Sequence, residues 1–289
     1  MPAAVAAMWG GTPVPRPAPW PALLFIPLLL TAQDLTAPRA LYQKTEYEQA
    51  LKAIGNRQDQ PALQLAGQCY IGLEDYKKAI DVLEQAATDS ESHMWLGRAY
   101  GRRAETAMPL LAPRYASKAR QAFEKAVELD PKNILAMNDL FEYYLQAPGF
   151  LGGGKDKAEA LSRRIAALNK AEGHYAQARL KEDRKDYIGA EPEYRAAIEA
   201  DPKEAGRVLD LARFLARRNR IIESDAVFAK AEALAPNAPK VLYAKAETYI
   251  EQKRKLPEAR QLLERYLKSD LTPDDASRKQ ARKLLEKAR

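Results

Sequence analysis

The chain is poor in the residues that build reactive or cross-linked sites. Its 289 residues include one cysteine, Cys69, and two histidines, His93 and His174. A single thiol excludes an internal disulfide framework and a cysteine-rich zinc site. The histidines lie far apart in the chain with no cysteine or carboxylate at ligand spacing, so they read as core or half-buried packing residues, and no metal is expected. No nucleophile elbow, His-Glu-x-x-His or dinucleotide fingerprint occurs. The carboxylates scatter along polar stretches, and none pair up for acid–base work. The expectation is a protein that is not an enzyme and carries no cofactor. Alternating β-branched runs are also missing, which removes the strand signal. What remains is 46% hydrophobic and 29% charged, a soluble and core-forming balance. Long stretches free of Gly and Pro are rich in Ala, Leu, Glu, Lys and Arg, all good helix formers.

The first forty residues differ from the rest. They hold Pro2, Pro13, Pro15, Pro17, Pro19, Pro21, Pro27 and Pro38, eight of the 19 prolines in the chain. Arg16 precedes an apolar run from Pro21 to Leu30, and Asp34 is the first acid. A basic start, a short apolar core and a small residue before a polar stretch describe an export signal. The run falls short of the ~20 apolar residues a membrane span needs. Residues 1–32 are therefore expected to be a signal peptide cut after Ala32, making the mature chain periplasmic or secreted. Membrane contact is expected only if that segment stays uncleaved as an interfacial anchor. No cysteine follows it, which speaks against a lipoprotein.

Residues 205–237 and 239–273 carry one pattern twice. A small residue stands eight positions in (Ala212, Ala246), another near position 20 (Ser224, Ala259), and a large one near 24 (Phe228, Leu263). Pro236 and Pro273 close the two copies. Upstream, Gly67–Tyr70 with Asp75, Tyr76 and Ala79 is another copy, and so is Gly97–Tyr100 with Ala119, Phe123, Ala126 and Asp130-Pro131. Asp186-Tyr187 with Ala190, Tyr194, Ala197 and Asp201-Pro202 is a third, and Glu46-Tyr47 with Ala50 is a degraded one. A period of roughly 34 residues signals stacked helix–turn–helix units. Small residues let the paired helices approach, large ones fill the space between units, and Asp-Pro stops each second helix.

These residues resemble the tetratricopeptide repeat family over roughly residues 40 to 275. The resemblance implies an all-α, superhelical solenoid of antiparallel helix pairs. The expected organisation is a degraded first repeat over 33–59, a repeat array over 60–273 and a C-terminal capping helix over 274–289. Terminal units need such a polar cap, and here Ala276, Ala281, Leu284 and Leu285 are expected to face inward. Insertions are expected at 104–118, with an apolar loop from Met108 to Pro113, and at 147–155. The second insertion contains Gly149-x-x-x-x-Gly154-Lys155, close to a phosphate-binding loop. Asp156 stands where that motif needs a hydroxyl, and a helix rather than a strand leads into it.

The resemblance further implies a binding scaffold whose first helices line a concave groove. Its register selects Gln64, Gln68, Met94, Arg98, Arg102, Asn138, Glu142, Tyr175, Arg179, Arg213, Arg217, Tyr243 and Glu247 as groove residues. Gln64 and Gln68 occupy two places where relatives that clamp a peptide C-terminus carry other residues. Tyr175 and Tyr243 are candidate aromatic anchors. Arg98 with Arg102, and Arg213 with Arg217, place guanidinium forks on one helix face, which suits a carboxylate-bearing partner. The expected occupant is a protein or extended peptide, with the exposed arginines suiting an acidic one. Formal net charge is +7, with bases clustered at Arg213–Arg220, Lys253–Lys255 and Arg278–Arg289. An alternative expectation is a polyanion or envelope-surface binder using that Arg/Lys-rich C-terminal half. The aromatic interleaving of single-strand binders is missing, so no nucleic acid is expected.

Overall fold

A computed structural model describes residues 34–288, and the segment read as an export signal lies outside these described residues. The described residues are all-α, with fifteen α-helices and no strand. They run as successive pairs: α1 (Thr36–Gln43) with α2 (Tyr47–Ile54), α3 (Gln60–Gly72) with α4 (Tyr76–Ala86), and α5 (Ser90–Thr106) with α6 (Ala112–Leu129). Next come α7 (Ile134–Gln146) with α8 (Lys155–Leu168), α9 (Lys170–Asp183) with α10 (Tyr187–Ala200), α11 (Ala205–Arg217) with α12 (Ile221–Leu234), and α13 (Pro239–Glu251) with α14 (Leu256–Lys268). A last helix, α15 (Arg278–Lys287), ends the stack.

The turn inside five of the seven pairs is a repeated device. Thr45, Glu74, Lys185, Asn219 and Lys253 all adopt positive φ, between 52° and 63°. The following amide donates back to the carbonyl five residues earlier, as in Asp75 to Tyr70, Asp186 to Lys181, Arg220 to Leu215 and Arg254 to Tyr249. This is the left-handed helix stop that satisfies orphan carbonyls. Asp75 and Asp186 then cap the next helix by accepting from the amides of Lys78 and Gly189. One residue thus closes one helix and starts the next.

Packing follows the repeat register. A Cβ on Gly67 would lie 2.3 Å from Leu83, and one on Gly97 would lie 2.5 Å from Phe123. Only glycine admits the facing helix at those two crossings. The buried apolar side chains form four clusters in succession along the stack, from Tyr42 and Cys69 at one end to Tyr266 and Leu284 at the other. The residues expected as an inserted loop over 104–118 instead lengthen α5 and α6, to 17 and 18 residues, leaving only 107–111 between them.

The terminal helix does more than cover the last pair. Ala281 and Leu284 are buried against α13 and α14. Its start is capped by Ser277 and Gln280. From there it reaches the first units of the stack. Ser277 Oγ donates to Glu74 at 3.1 Å, Lys279 pairs with Glu74 at 2.7 Å, and Arg278 meets Thr45 at 3.1 Å. Hydrogen bonds and ion pairs hold Glu74 below the ordinary carboxylate range although burial pushes it up. The stack therefore comes around until its last helix touches its first turns.

Candidate functional site

The wall of the groove is made by the first helix of each pair, and its charges are arranged one unit apart. Arg98 Nε donates to Asp139 at 2.6 Å. Asn138 donates to Glu172 at 2.8 Å, and Glu172 accepts from Arg207 at 2.8 Å. Arg179 forks onto Glu142 at 2.9 and 3.1 Å. Arg217 forks onto Glu182 at 2.9 and 3.0 Å, and Arg213 reaches Glu247 at 3.0 Å. The partners in these bonds stand 34 to 41 residues apart in the chain, about one repeat. The result is a set of ladders that tie neighbouring units together along the wall.

Burial sets the electrostatics. Desolvation raises the carboxyls of Asp139, Asp210 and Glu247, against the opposing pull of nearby arginines. Glu182 behaves differently. Burial pushes it up, but hydrogen bonds from Arg217 and from the Tyr194 hydroxyl, the latter at 2.7 Å, hold it below its ordinary 4.5. Arg207 also stacks over the Tyr175 ring at 4.1 Å, and Arg98 over the Trp95 ring at 4.7 Å.

A cavity of about 530 Å³ opens on this wall between α7, α9, α11 and α13. The segment Asp274–Ala276, just before α15, closes one side of it. It gathers Asn138, Glu142, Tyr175, Arg213 and Tyr243 from the groove register. Gln64 and Gln68 line a separate space of about 360 Å³ near the first units. Met94 is different: it is buried in the core between units, not on the wall. Gln68 is nearly buried as well. Arg102 pairs with Glu105 on its own helix at 2.7 Å. The arginines expected to stand open for a partner's carboxylates are therefore already engaged. Long side chains on adjacent helices find each other across the wall, and that the single-helix register does not reveal.

Several wall residues were not selected by the sequence register. Asp139, Glu172, Arg207, Asp210 and Lys240 all line the cavity. Opposite charges recurring at the repeat period, such as Glu172 with Arg207 and Glu182 with Arg217, are the signal that would have found the ladders.

The other sequence candidates have structural roles. In the glycine loop, the amides of Gly152, Gly153 and Gly154 donate to the carbonyls of Gly149, Pro148 and Tyr144. They are directed back to the loop and to the end of α7, and Lys155 pairs with Asp183 at 2.6 Å. His93 is half-buried and lowered by desolvation, while His174 lies 2.8 Å from Glu193. Cys69 is fully buried, which pushes its thiol up to about 12. No group of three metal-ligating side chains comes together among the described residues. Nor is any helix among them long and apolar enough to cross a membrane.

This geometry defines a helical-repeat solenoid with a lined concave wall. The tetratricopeptide repeat family model matches residues 60–88 and 115–133, which fall in the α3–α4 pair and in α6 with its closing turn. Those residues carry tetratricopeptide repeats, and the described residues share the all-α repeat fold of solved tetratricopeptide-repeat proteins. Among solved structures, a tetratricopeptide repeat protein from Parabacteroides merdae is 14% identical with a TM-score of 0.57, the match covering 87% of this chain and 96% of that one. A thermophilic TPR protein in Thermus thermophilus is 24% identical with a TM-score of 0.52, covering 63% of this chain and 96% of that one. A chain of the Cut9–Hcn1 hetero-tetramer of the APC/C is 15% identical with a TM-score of 0.50, covering 87% of this chain and 48% of that one. No curated protein matches the chain.

Proposed function

We propose that the chain is a non-catalytic protein-interaction scaffold whose concave wall seats an extended segment of another protein. The observation that carries this reading is the cavity on the wall, closed on one side by Asp274–Ala276. Its lining holds six carboxylates, Asp139, Glu142, Glu172, Asp210, Asp274 and Asp275, against three bases, Arg207, Arg213 and Lys240. Because the wall arginines are matched by carboxylates of a neighbouring unit, the charge left over is negative. The occupant that suits it is a segment rich in Lys or Arg, not the acidic peptide that the arginines alone suggest. Tyr175 and Tyr243 add aromatic surface for the stems of such side chains. The Cut9–Hcn1 assembly shows the same fold in a protein complex, which supports a protein as the partner.

Selection of a random peptide display library on the purified chain tests this. The recovered peptides should be enriched in Lys and Arg. Asp274 is exposed, so Asp274→Lys combined with Tyr243→Ala should weaken them by at least about tenfold, equivalent to ~1.4 kcal/mol. Recovery of acidic peptides, or of peptides insensitive to the double change, would overturn the reading.

A further inference from the structure

The two edges of the stack differ in what they show to solvent. Nine large apolar side chains are exposed among the described residues. The five most exposed are Met108, Leu110, Phe150, Ile188 and Ile222, at 69–91%. All five lie in or just after a turn inside a helix pair: 107–111, 147–154, 184–186 and 218–220. The other four, Leu129, Leu135, Leu168 and Leu234, are 40–58% exposed and sit beside the turns between pairs. The strongly exposed apolar groups therefore share one rim.

Charge follows the same division. The last three turns on that rim, 184–186, 218–220 and 252–255, contain seven bases and one acid, Asp186. Arg184, Arg220, Arg254 and Lys255 are ion-paired with acids of the second helices. Lys185 and Lys253 have no carboxylate partner among the described residues, nor does Arg218, which stacks on Tyr187 at 3.6 Å. Two turns on the opposite rim, 130–133 and 201–204, hold Asp130, Asp201 and Glu204 against Lys132 and Lys203.

We propose that this rim docks on an anionic lipid bilayer, with Ile188 and Ile222 entering the acyl boundary and Lys185, Arg218 and Lys253 meeting the headgroups. The pattern fits that partner chemically. Bases in turns that also present isolated, strongly exposed isoleucines match a surface that is negative outside and apolar just beneath. A nucleic acid or an acidic protein would use the bases and leave the isoleucines in water. The rim near the first units is taken up by α15, so the docking face runs over the later pairs. The inference is independent of the groove, because no rim residue named here lines the cavity.

The test uses the full chain, vesicles of phosphatidylcholine alone, and vesicles with about a third phosphatidylglycerol, near 0.15 M salt. The chain should favour the anionic vesicles by at least about tenfold. The triple change Lys185→Gln, Arg218→Gln and Lys253→Gln should lower that affinity on the order of a hundredfold. Ile188→Ser with Ile222→Ser should lower it about tenfold. An environment-sensitive label on Ile222→Cys reads the rim directly, since Cys69 is buried, and should shift to the blue on anionic vesicles. Equal binding to both vesicle types, an unshifted label, or full affinity in the triple variant each overturns the proposal. Loss in the triple variant without loss in the isoleucine variant would mark a general polyanion site and overturn lipid docking. Circular dichroism confirms that each variant is folded.

Discussion

On the concave wall Arg179, Arg213 and Arg217 each meet a carboxylate about one repeat away, whereas on the rim Lys185, Arg218 and Lys253 meet none among the described residues. All six side chains carry a positive charge at neutral pH; their positions separate them. Residues on first helices face the equivalent helix of the next unit, so opposite charges at the repeat period find each other. Residues in turns project beyond the neighbouring helices and meet solvent. A count of bases therefore says little about where charge is available for a partner. The wall spends its arginines on holding units together, and the rim keeps part of its charge outward. The same logic shifts the partner expected in the groove from acidic to basic, and moves anion attraction to the rim.

Both regions depend on the core between helices, and breaking it should give the largest effect. Phe228 is fully buried and meets Tyr249 edge-on at 6.4 Å between centroids. Phe228→Ala should cost about 3–5 kcal/mol, by lost burial and the cavity left behind. Denaturant unfolding followed by circular dichroism measures it, and a neutral result would mean the repeat register is wrong.

The wall should respond next. Glu182 accepts from Arg217 and Tyr194 and lies 3.5 Å from Arg179. Glu182→Gln keeps the shape and removes the charge, so it should cost about 1–3 kcal/mol at neutral pH. The folded value of Glu182 lies below its ordinary 4.5, so its stabilisation is complete above 4.5 and is lost as pH falls through the folded value. Thermal melts of parent and variant should therefore differ most near neutrality and converge in acid. A gap that stays constant with pH would assign the loss to shape and not to charge.

The rim should barely register. Lys185→Gln with Lys253→Gln alters two exposed side chains that make no ion pair among the described residues. Unfolding free energy should stay within about 0.5 kcal/mol of the parent. A larger loss would mean that these turns hold the stack together, erasing the contrast with the wall.

Much of the fold was legible because each unit repeats the same local instructions. Gly67, Gly97, Ala197 and Phe228 fall at the helix crossings that their spacing implies. Asp75 and Asp186 stand where a helix must start. The groove was only partly legible. Asn138, Glu142, Tyr175, Arg213 and Tyr243 meet at one cavity, while Met94 turns into the core. Helix register assigns a residue to a face within about a third of a turn, and a side chain at the boundary goes wherever the next unit leaves room.

The amino-acid sequence alone determined the helix pairs, their turns and the stacked all-α class, since propensity, capping and period act within a few tens of residues. Only the tertiary structure decided which charges are matched and how the stack ends. Glu182 and Arg217 lie 35 residues apart, and Ser277 lies 203 residues from Glu74. Such contacts depend on the small rotation from each unit to the next, summed over the whole array. That sum is not encoded at any one position, so the ladders on the wall and the return of α15 to the first turns appear only once the units are stacked.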